Sequence, residues 1–302
     1  MLRDIGFKPP TTLGVIGESG CGKSTLARVI AGLLPAARGE VLLNSTKLRR
    51  SAAERTREQL QRIQIVFQMA DTALNPARPI DRILGRPLEF YHGLSGDKRR
   101  RRVVELLDTV RLPAARPIAI PASFGAGRSS GVNLARALAA EPSIILCDEV
   151  TSALDTVVGA AILDPLAELQ RNLGVAYVFI SHDLSSIKAV CDQVIILYAG
   201  QMMEHVGRSA LRQRPLHPYS DLLILSAPEL RQGWLDGLSD RALTETTAGF
   251  PRLRRGDSCS FFDRCSVRIP GRRDVEPAPL RRLTKAAEIR CQHTEQELIE
   301  LN

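Results

Sequence analysis

Residues 13–34 read LGVIGESGCGKSTLARVIAGLL. A short apolar run, Leu13 to Ile16, leads into a glycine-rich turn. A helix follows, with apolar positions at Leu26, Val29, Ile30 and Leu33. The turn fits G-x-x-x-x-G-K-[ST] as Gly17, Glu18, Ser19, Gly20, Cys21, Gly22, Lys23 and Ser24, with Thr25 next. Glycines let successive backbone N–H groups converge on a phosphate, and the positive end of the helix faces the same point. Lys23 adds a mobile charge for the β- and γ-phosphates, and the Ser24 hydroxyl is suited to ligate Mg²⁺. Strand, glycine turn and helix together predict a nucleoside triphosphate site.

The chain has 302 residues, enough for one large domain and an appendage. Hydrophobic residues make up 44% and charged residues 25%, ordinary values for a globular protein. No stretch approaches the ~20 apolar residues that span a bilayer, and the N-terminus lacks the apolar core of a signal peptide. A cytoplasmic location is the expectation. The net charge of +8 leaves nucleic acid or an anionic membrane face open as partners. Aromatics are only 4%, poor material for stacking bases. Cys21, Cys147 and Cys191 are isolated, whereas Cys259, Cys265 and Cys291 gather in the tail as candidate metal ligands.

Outward from the glycine turn, strands are expected at 40–43 and 64–67, with a turn-rich segment, MADTALNPARP, after the second. Residues 80–112 read as helical and include the basic run Lys98–Arg102. From Ser143 the pattern alternates: strand 144–149, helix 156–172, strand 176–180, helix 184–190 and strand 193–198. Such alternation argues for a mostly parallel sheet flanked by helices. Beyond about residue 215 the chain turns rich in Pro, Arg and Gly, with little core of its own expected.

A triphosphate site needs a second metal ligand and a group to handle the attacking water. Asp148 ends the apolar strand IILCD and suits the metal; Glu149 beside it suits a general base. His182, in FISHDL, follows the strand 176–180 and is placed to contact a γ-phosphate and steady the water. Gln68 ends the strand QIVF and offers an amide to Mg²⁺ or water.

Taken in order, the glycine turn, Gln68, DEVTSALD (148–155) and SHD (181–183) resemble the ATP-binding subunit of an ABC transporter over roughly residues 11–230. The fold so implied is α/β: a P-loop NTPase with an inserted helical subdomain at about 75–140. It spans 1–230, followed by an irregular cysteine-containing extension at 231–302. Within that family, ESGCGKST, VFQ with LNP (66–76) and LHPYSDLLILSAPEL (216–230) are similar to the oligopeptide/dipeptide import group. The resemblance implies ATP and Mg²⁺, with Ser24, Gln68 and Asp148 at the metal and Glu149, His182 and Gln68 in hydrolysis. It makes residues 152–155 the D-loop. It also implies a second ATP-binding subunit, two permease subunits, an extracytoplasmic solute-binding protein, no nucleic acid, and a peripheral place on the cytoplasmic face of the inner membrane.

Three features depart from the family pattern. Where the family carries L-S-G-G-Q, this chain carries Phe124-Gly125-Ala126-Gly127-Arg128, followed by Ser129, Ser130 and Gly131. Gly125 has no hydroxyl for the partner's γ-phosphate, and Ala126 adds a methyl where backbone must approach closely. Losing one transition-state donor costs on the order of 3 kcal/mol. A heterodimer with one impaired composite site is the expectation, with Arg128 and Ser129 as the groups that would rescue contact. Second, few residues precede the glycine turn, and only Phe7 is available to stack on adenine, in an unsuitable register; a truncated or split chain is one explanation. Third, Cys259, Cys265 and Cys291 resemble the import group's cysteine cluster, making them candidate iron–sulfur or zinc ligands. The leading reading is an ATP-hydrolysing subunit of a peptide-type importer. The alternatives are a non-catalytic, regulatory ATP-binding half and a soluble ABC ATPase acting on nucleic acid.

Overall fold

The computed structural model describes residues 11–67, 73–112, 126–149, 170, 174–209, 211, 217–226, 259–268, 278–283 and 287–301. The chain divides into two compact units, one holding Leu13–Lys23 and the chain from Ser181 onward, the other residues 11–12 and 24–180.

In the second unit, β4 (Ile63–Val66), β5 (Ile144–Asp148) and β6 (Ala176–Ile180) run parallel in that order. Ile145 and Leu146 of β5 are buried, as are all five residues of β6, the continuous apolar character of strands covered on both faces. The helix that leaves the glycine turn, α1 (Lys23–Ala31), ends at Gly32. There the buried Arg55 guanidinium donates to the Ile30 carbonyl at 2.9 Å. The strand expected at 40–43 is shorter: β2 (Leu42–Leu43) forms a small hairpin with β3 (Thr46–Lys47), turned through Asn44 and Ser45, both at positive φ. A helix α2 (Arg57–Arg62), capped by a reciprocal Thr56–Gln59 box, feeds β4.

The helical reading of 80–112 resolves into two elements, α3 (Ile80–His92) and α4 (Gly96–Thr109). Gly93 separates them at φ 67°, its N–H donating to the Glu89 carbonyl. That is the left-handed cap that glycine adopts most readily, having no Cβ. The basic run on α4 is matched by acids: Arg99 bridges Asp81 and Glu89, Arg100 faces Asp97, and Arg102 bridges Glu105 and Glu141. Arg100 is exposed, whereas Arg99 is largely covered by its two acids. A fifth helix, α5 (Ala126–Leu138), buries Val132, Ala135 and Leu138. The helix expected at 156–172 lies outside the described residues.

In the first unit, β1 (Thr12–Ile16) pairs in parallel with β7 (Gln193–Tyr198). The intervening α6 (Leu184–Val190) packs so close that a Cβ on Gly14 would meet Ile187 at 2.7 Å. From β7 the chain turns back into β8 (Gln201–Gly207). A short helix, α7 (Pro218–Leu225), follows. The tail then adds β9 (Leu280–Arg282) and β10 (Glu288–Arg290), with β10 antiparallel to β8, before a last helix α8 (Glu295–Leu301). Phe261, Ile289 and Leu298 are buried there, so the tail's apolar residues complete the core beneath β7 and β8.

Candidate active site

β1 delivers the chain to Gly17, where a Cβ would stand 2.2 Å from the Leu197 carbonyl oxygen and 2.7 Å from Cys21 Sγ. Only glycine fits so close to β7. The turn is closed by Cys21 N–H donating to the Glu18 carbonyl at 3.3 Å. It is braced from the β7–β8 hairpin by Gly200 N–H donating to the Cys21 carbonyl at 3.0 Å. Cys21 is buried, and burial pushes its thiol pKa up despite the pull of Lys23. Ser19, Gly20 and Thr25 are exposed.

Lys23 curls back over the turn. Its Nζ donates to the Gly17 carbonyl at 2.7 Å and the Glu18 carbonyl at 3.0 Å. The next residue, Ser24, donates its hydroxyl to Asp148 Oδ1 at 2.9 Å. This bond sets two hard oxygen donors side by side, the donor chemistry that suits Mg²⁺. Glu149 takes a left-handed conformation, φ 51°, with its N–H donating to the Ile180 carbonyl at 2.9 Å. The chain thus turns sharply off β5 at the candidate base, and such strain in a non-glycine residue is held only where surroundings enforce it.

His182 is exposed just beyond β6. Its flanks are fixed: Ser181 N–H donates to the Val15 carbonyl at 3.2 Å, and Asp183 N–H donates to Ser181 Oγ at 2.9 Å. Asp183 in turn accepts from Ser186 N–H at 3.1 Å and caps α6. Gln68 lies outside the described residues, as do 152–155; beside it, the Phe67 carbonyl accepts from Asn133 Nδ2 at 3.3 Å.

Cys259, Cys265 and Cys291 line one small cavity with His217 and His293. Among the described residues, no three His, Cys, Asp or Glu side chains are arranged to hold one metal ion. The histidines serve the backbone: His217 Nδ1 accepts from Tyr219 N–H at 3.0 Å, and His293 Nε2 lies 2.9 Å from the Val267 carbonyl. The iron–sulfur and zinc expectation for the three cysteines therefore finds no support.

Two further contacts reach the glycine turn from distant segments. Tyr219, at the start of α7, accepts a hydrogen bond from Glu18 N–H at 3.0 Å. Arg264, in a 3₁₀ turn of the tail (Phe262–Arg264), donates to the Glu18 carboxylate at 2.8 Å. Tyr219 lies in the LHPYSDLL segment, which resembles the import group but gives no hint of this contact; Arg264 carries no sequence signal.

Residues 4–152 match the ABC transporter family, and residues 203–271 match the oligopeptide/dipeptide transporter C-terminal region. The chain is also similar to a putative peptide import ATP-binding protein of Brucella abortus (strain 2308). The two are 40% identical over 273 residues, 89% of this chain and 79% of the relative. This chain belongs to the ABC transporter ATP-binding family. The ABC ATPase is likewise similar to the oligopeptide transport ATP-binding protein OppF of Salmonella typhimurium, 39% identical over 86% of this chain and 77% of that one. Among solved structures, a dimer of the ATP-binding cassette MJ0796 bound to ADP and Pi covers 70% of this ABC ATPase and 89% of that chain. Its TM-score is 0.61 at 29% identity. The α/β P-loop architecture and the assignment as an ATPase follow.

Proposed function

We propose that this chain is the ATP-hydrolysing subunit of a peptide-type ABC importer, working beside a second, different ATP-binding subunit. The observation that carries the reading is the Ser24–Asp148 hydrogen bond, which joins the end of the glycine turn to the acidic end of β5. The names of the Brucella and Salmonella relatives, and the match over 203–271, support peptide import. Two permease subunits and an extracytoplasmic solute-binding protein complete the proposed assembly. No described helix is long and apolar enough to cross a membrane, so anchorage on the permeases at the cytoplasmic face is part of the proposal.

Each residue then has a role. Amides of the glycine turn other than those of Glu18 and Cys21, which are held by Tyr219 and the Glu18 carbonyl, cradle the phosphates, and Lys23 swings from the loop carbonyls to the β- and γ-phosphates. Ser24 and Asp148, with Gln68, would hold Mg²⁺, which would supply charge neutralisation at the phosphates. Glu149 takes the proton of the attacking water, and His182 contacts the γ-phosphate and orients that water.

The heterodimer and its impaired site rest on the segment from Gly125 to Gly131. Ser129 carries a hydroxyl close in sequence to the absent signature serine, yet it is wholly buried in α5. That burial of its Oγ supports the reading that Ser129 does not replace the signature serine. The site built on this chain's own glycine turn keeps its chemistry if the partner supplies an intact signature.

The test is ATP turnover by this chain alone, with its partner subunit, and with that partner plus Glu149→Gln. Turnover that needs the partner and falls at least about 100-fold in the variant supports one working composite site on this glycine turn. Turnover untouched by the variant would assign the chain a regulatory, non-hydrolysing role.

A further inference from the structure

We infer that Tyr219 and Arg264 are positioning residues for nucleotide binding, acting on the glycine turn through Glu18. All three belong to one compact unit, although Arg264 lies 246 residues from Glu18 in the chain.

The coupling runs through the planarity of one peptide bond. In a trans peptide the C=O of one residue and the N–H of the next point in opposite directions. In the Gly17–Glu18 peptide the N–H donates to Tyr219 Oη at 3.0 Å, and the carbonyl accepts from Lys23 Nζ at 2.7 Å. Fixing the N–H therefore aims the carbonyl, and the carbonyl sets where Lys23 rests. The Glu18 side chain supplies a third tether through Arg264 at 2.8 Å. Its own carbonyl supplies a fourth, accepting from Lys23 Nζ and Cys21 N–H.

The two outer partners are themselves closely packed. Tyr219 is wholly buried and packs edge-on against Tyr198, with ring centroids 4.7 Å apart, and tilted against Phe261 at 5.3 Å. The Arg264 side chain is only 9% exposed, and its guanidinium lies 5.7 Å from the Tyr198 ring centroid and 5.8 Å from that of Phe261. Burial alone would lower the Arg264 pKa; hydrogen bonds to Glu18 and Tyr198 outweigh it and hold the charge in place. A buried guanidinium with a carboxylate partner is costly to strand, so this pair commits Glu18 to one position. Lys23 can then leave its two carbonyls for a phosphate while the turn keeps its shape. Preorganisation of this kind appears as affinity, because the loop is already ordered before the ligand arrives.

The experiment uses the full chain and measures the dissociation constants of ATP and ADP with Mg²⁺ by calorimetry, alongside thermal melts. Arg264→Gln and Glu18→Gln are each expected to weaken ATP binding about tenfold, and the double variant no more than the worse single one, since both act through one ion pair. Arg264→Lys should recover part of the loss. Tyr219→Phe, which keeps the ring packing and removes only the oxygen, is expected to weaken binding about three- to fivefold with a melt close to that of the parent. It also serves if Arg264→Gln does not fold. With the partner subunit present, KM for ATP should rise while kcat stays within about twofold. Unchanged or tighter nucleotide binding in folded Tyr219→Phe and in folded Arg264→Gln or Glu18→Gln would overturn the inference and leave these residues as a brace of the fold alone.

Discussion

At the scale of single residues, the glycine turn shows how little freedom its positions have. Gly17 sits under the Leu197 carbonyl, and the 2.2 Å approach of an added methyl is far inside contact. Relief would require β7 or the turn to move, and the turn is the part held by fewer backbone bonds. Gly17→Ala is therefore expected to destabilise the fold by about 1–3 kcal/mol. It should also lower ATP affinity by more than about tenfold, read by calorimetry and thermal melts. Much of this site is legible in the sequence because it is local: glycine turn, lysine and hydroxyl all fall within residues 17–25, and Asp148 announces itself at the end of an apolar strand. The roles of Tyr219 and Arg264 are not legible, because both are set by packing against Tyr198 and Phe261, and both act on a residue some two hundred positions away or more.

At the scale of elements, β8 and α7 meet at a buried acid. Glu204, on β8, is fully buried, and its Oε2 accepts from His217 N–H at 3.1 Å, just before α7. Burial pushes its pKa from 4.5 up to about 7, despite the His217 hydrogen bond and with Asp221 adding to the rise. His217 does not share the titration, since burial pulls its own pKa down to about 3. The folded chain thus keeps the Glu204 proton to about pH 7, whereas an unfolded carboxyl releases it near pH 4.5. This contribution to stability is full below pH 4.5 and is lost as the pH rises through 7. Glu204→Gln is expected to flatten that slope, so that its advantage over the parent grows from pH 5 to pH 8 by on the order of 2–3 kcal/mol. Denaturant melts at the two pH values measure it. The sequence hides β8 for the same reason: Glu204 and His205 interrupt what would otherwise be an apolar strand, and only the pairing with β7 and β10 makes them strand residues. β1, β5, β6 and β7 carry continuous apolar runs and are legible without their neighbours.

At the scale of the whole molecule, the tail that the sequence sets apart at 231–302 shares its burial with the unit that carries the glycine turn. β10 pairs with β8 through Glu288 opposite His205 and Ile289 opposite Glu204. Arg290 ties the same junction, its Nε donating to the Met202 carbonyl at 3.1 Å and its Nη1 to the Ala278 carbonyl at 3.2 Å. Phe261, Ile289 and Leu298 are each at most 1% exposed. Burying side chains of this size is worth about 2 kcal/mol apiece, a sum comparable with the ~5–15 kcal/mol by which a domain is stable. A chain ending at residue 230 would lose all three and leave the β8 edge unpaired, a template for association with other copies. Its thermal midpoint is expected to fall by more than about 10 °C, with aggregation on gel filtration. Its ATP affinity should fall further than in Arg264→Gln, because the same cut removes the partner of Glu18 and the ring that supports Tyr219. A truncated chain that melts and binds ATP like the full one would make the tail an independent appendage and detach it from the nucleotide site.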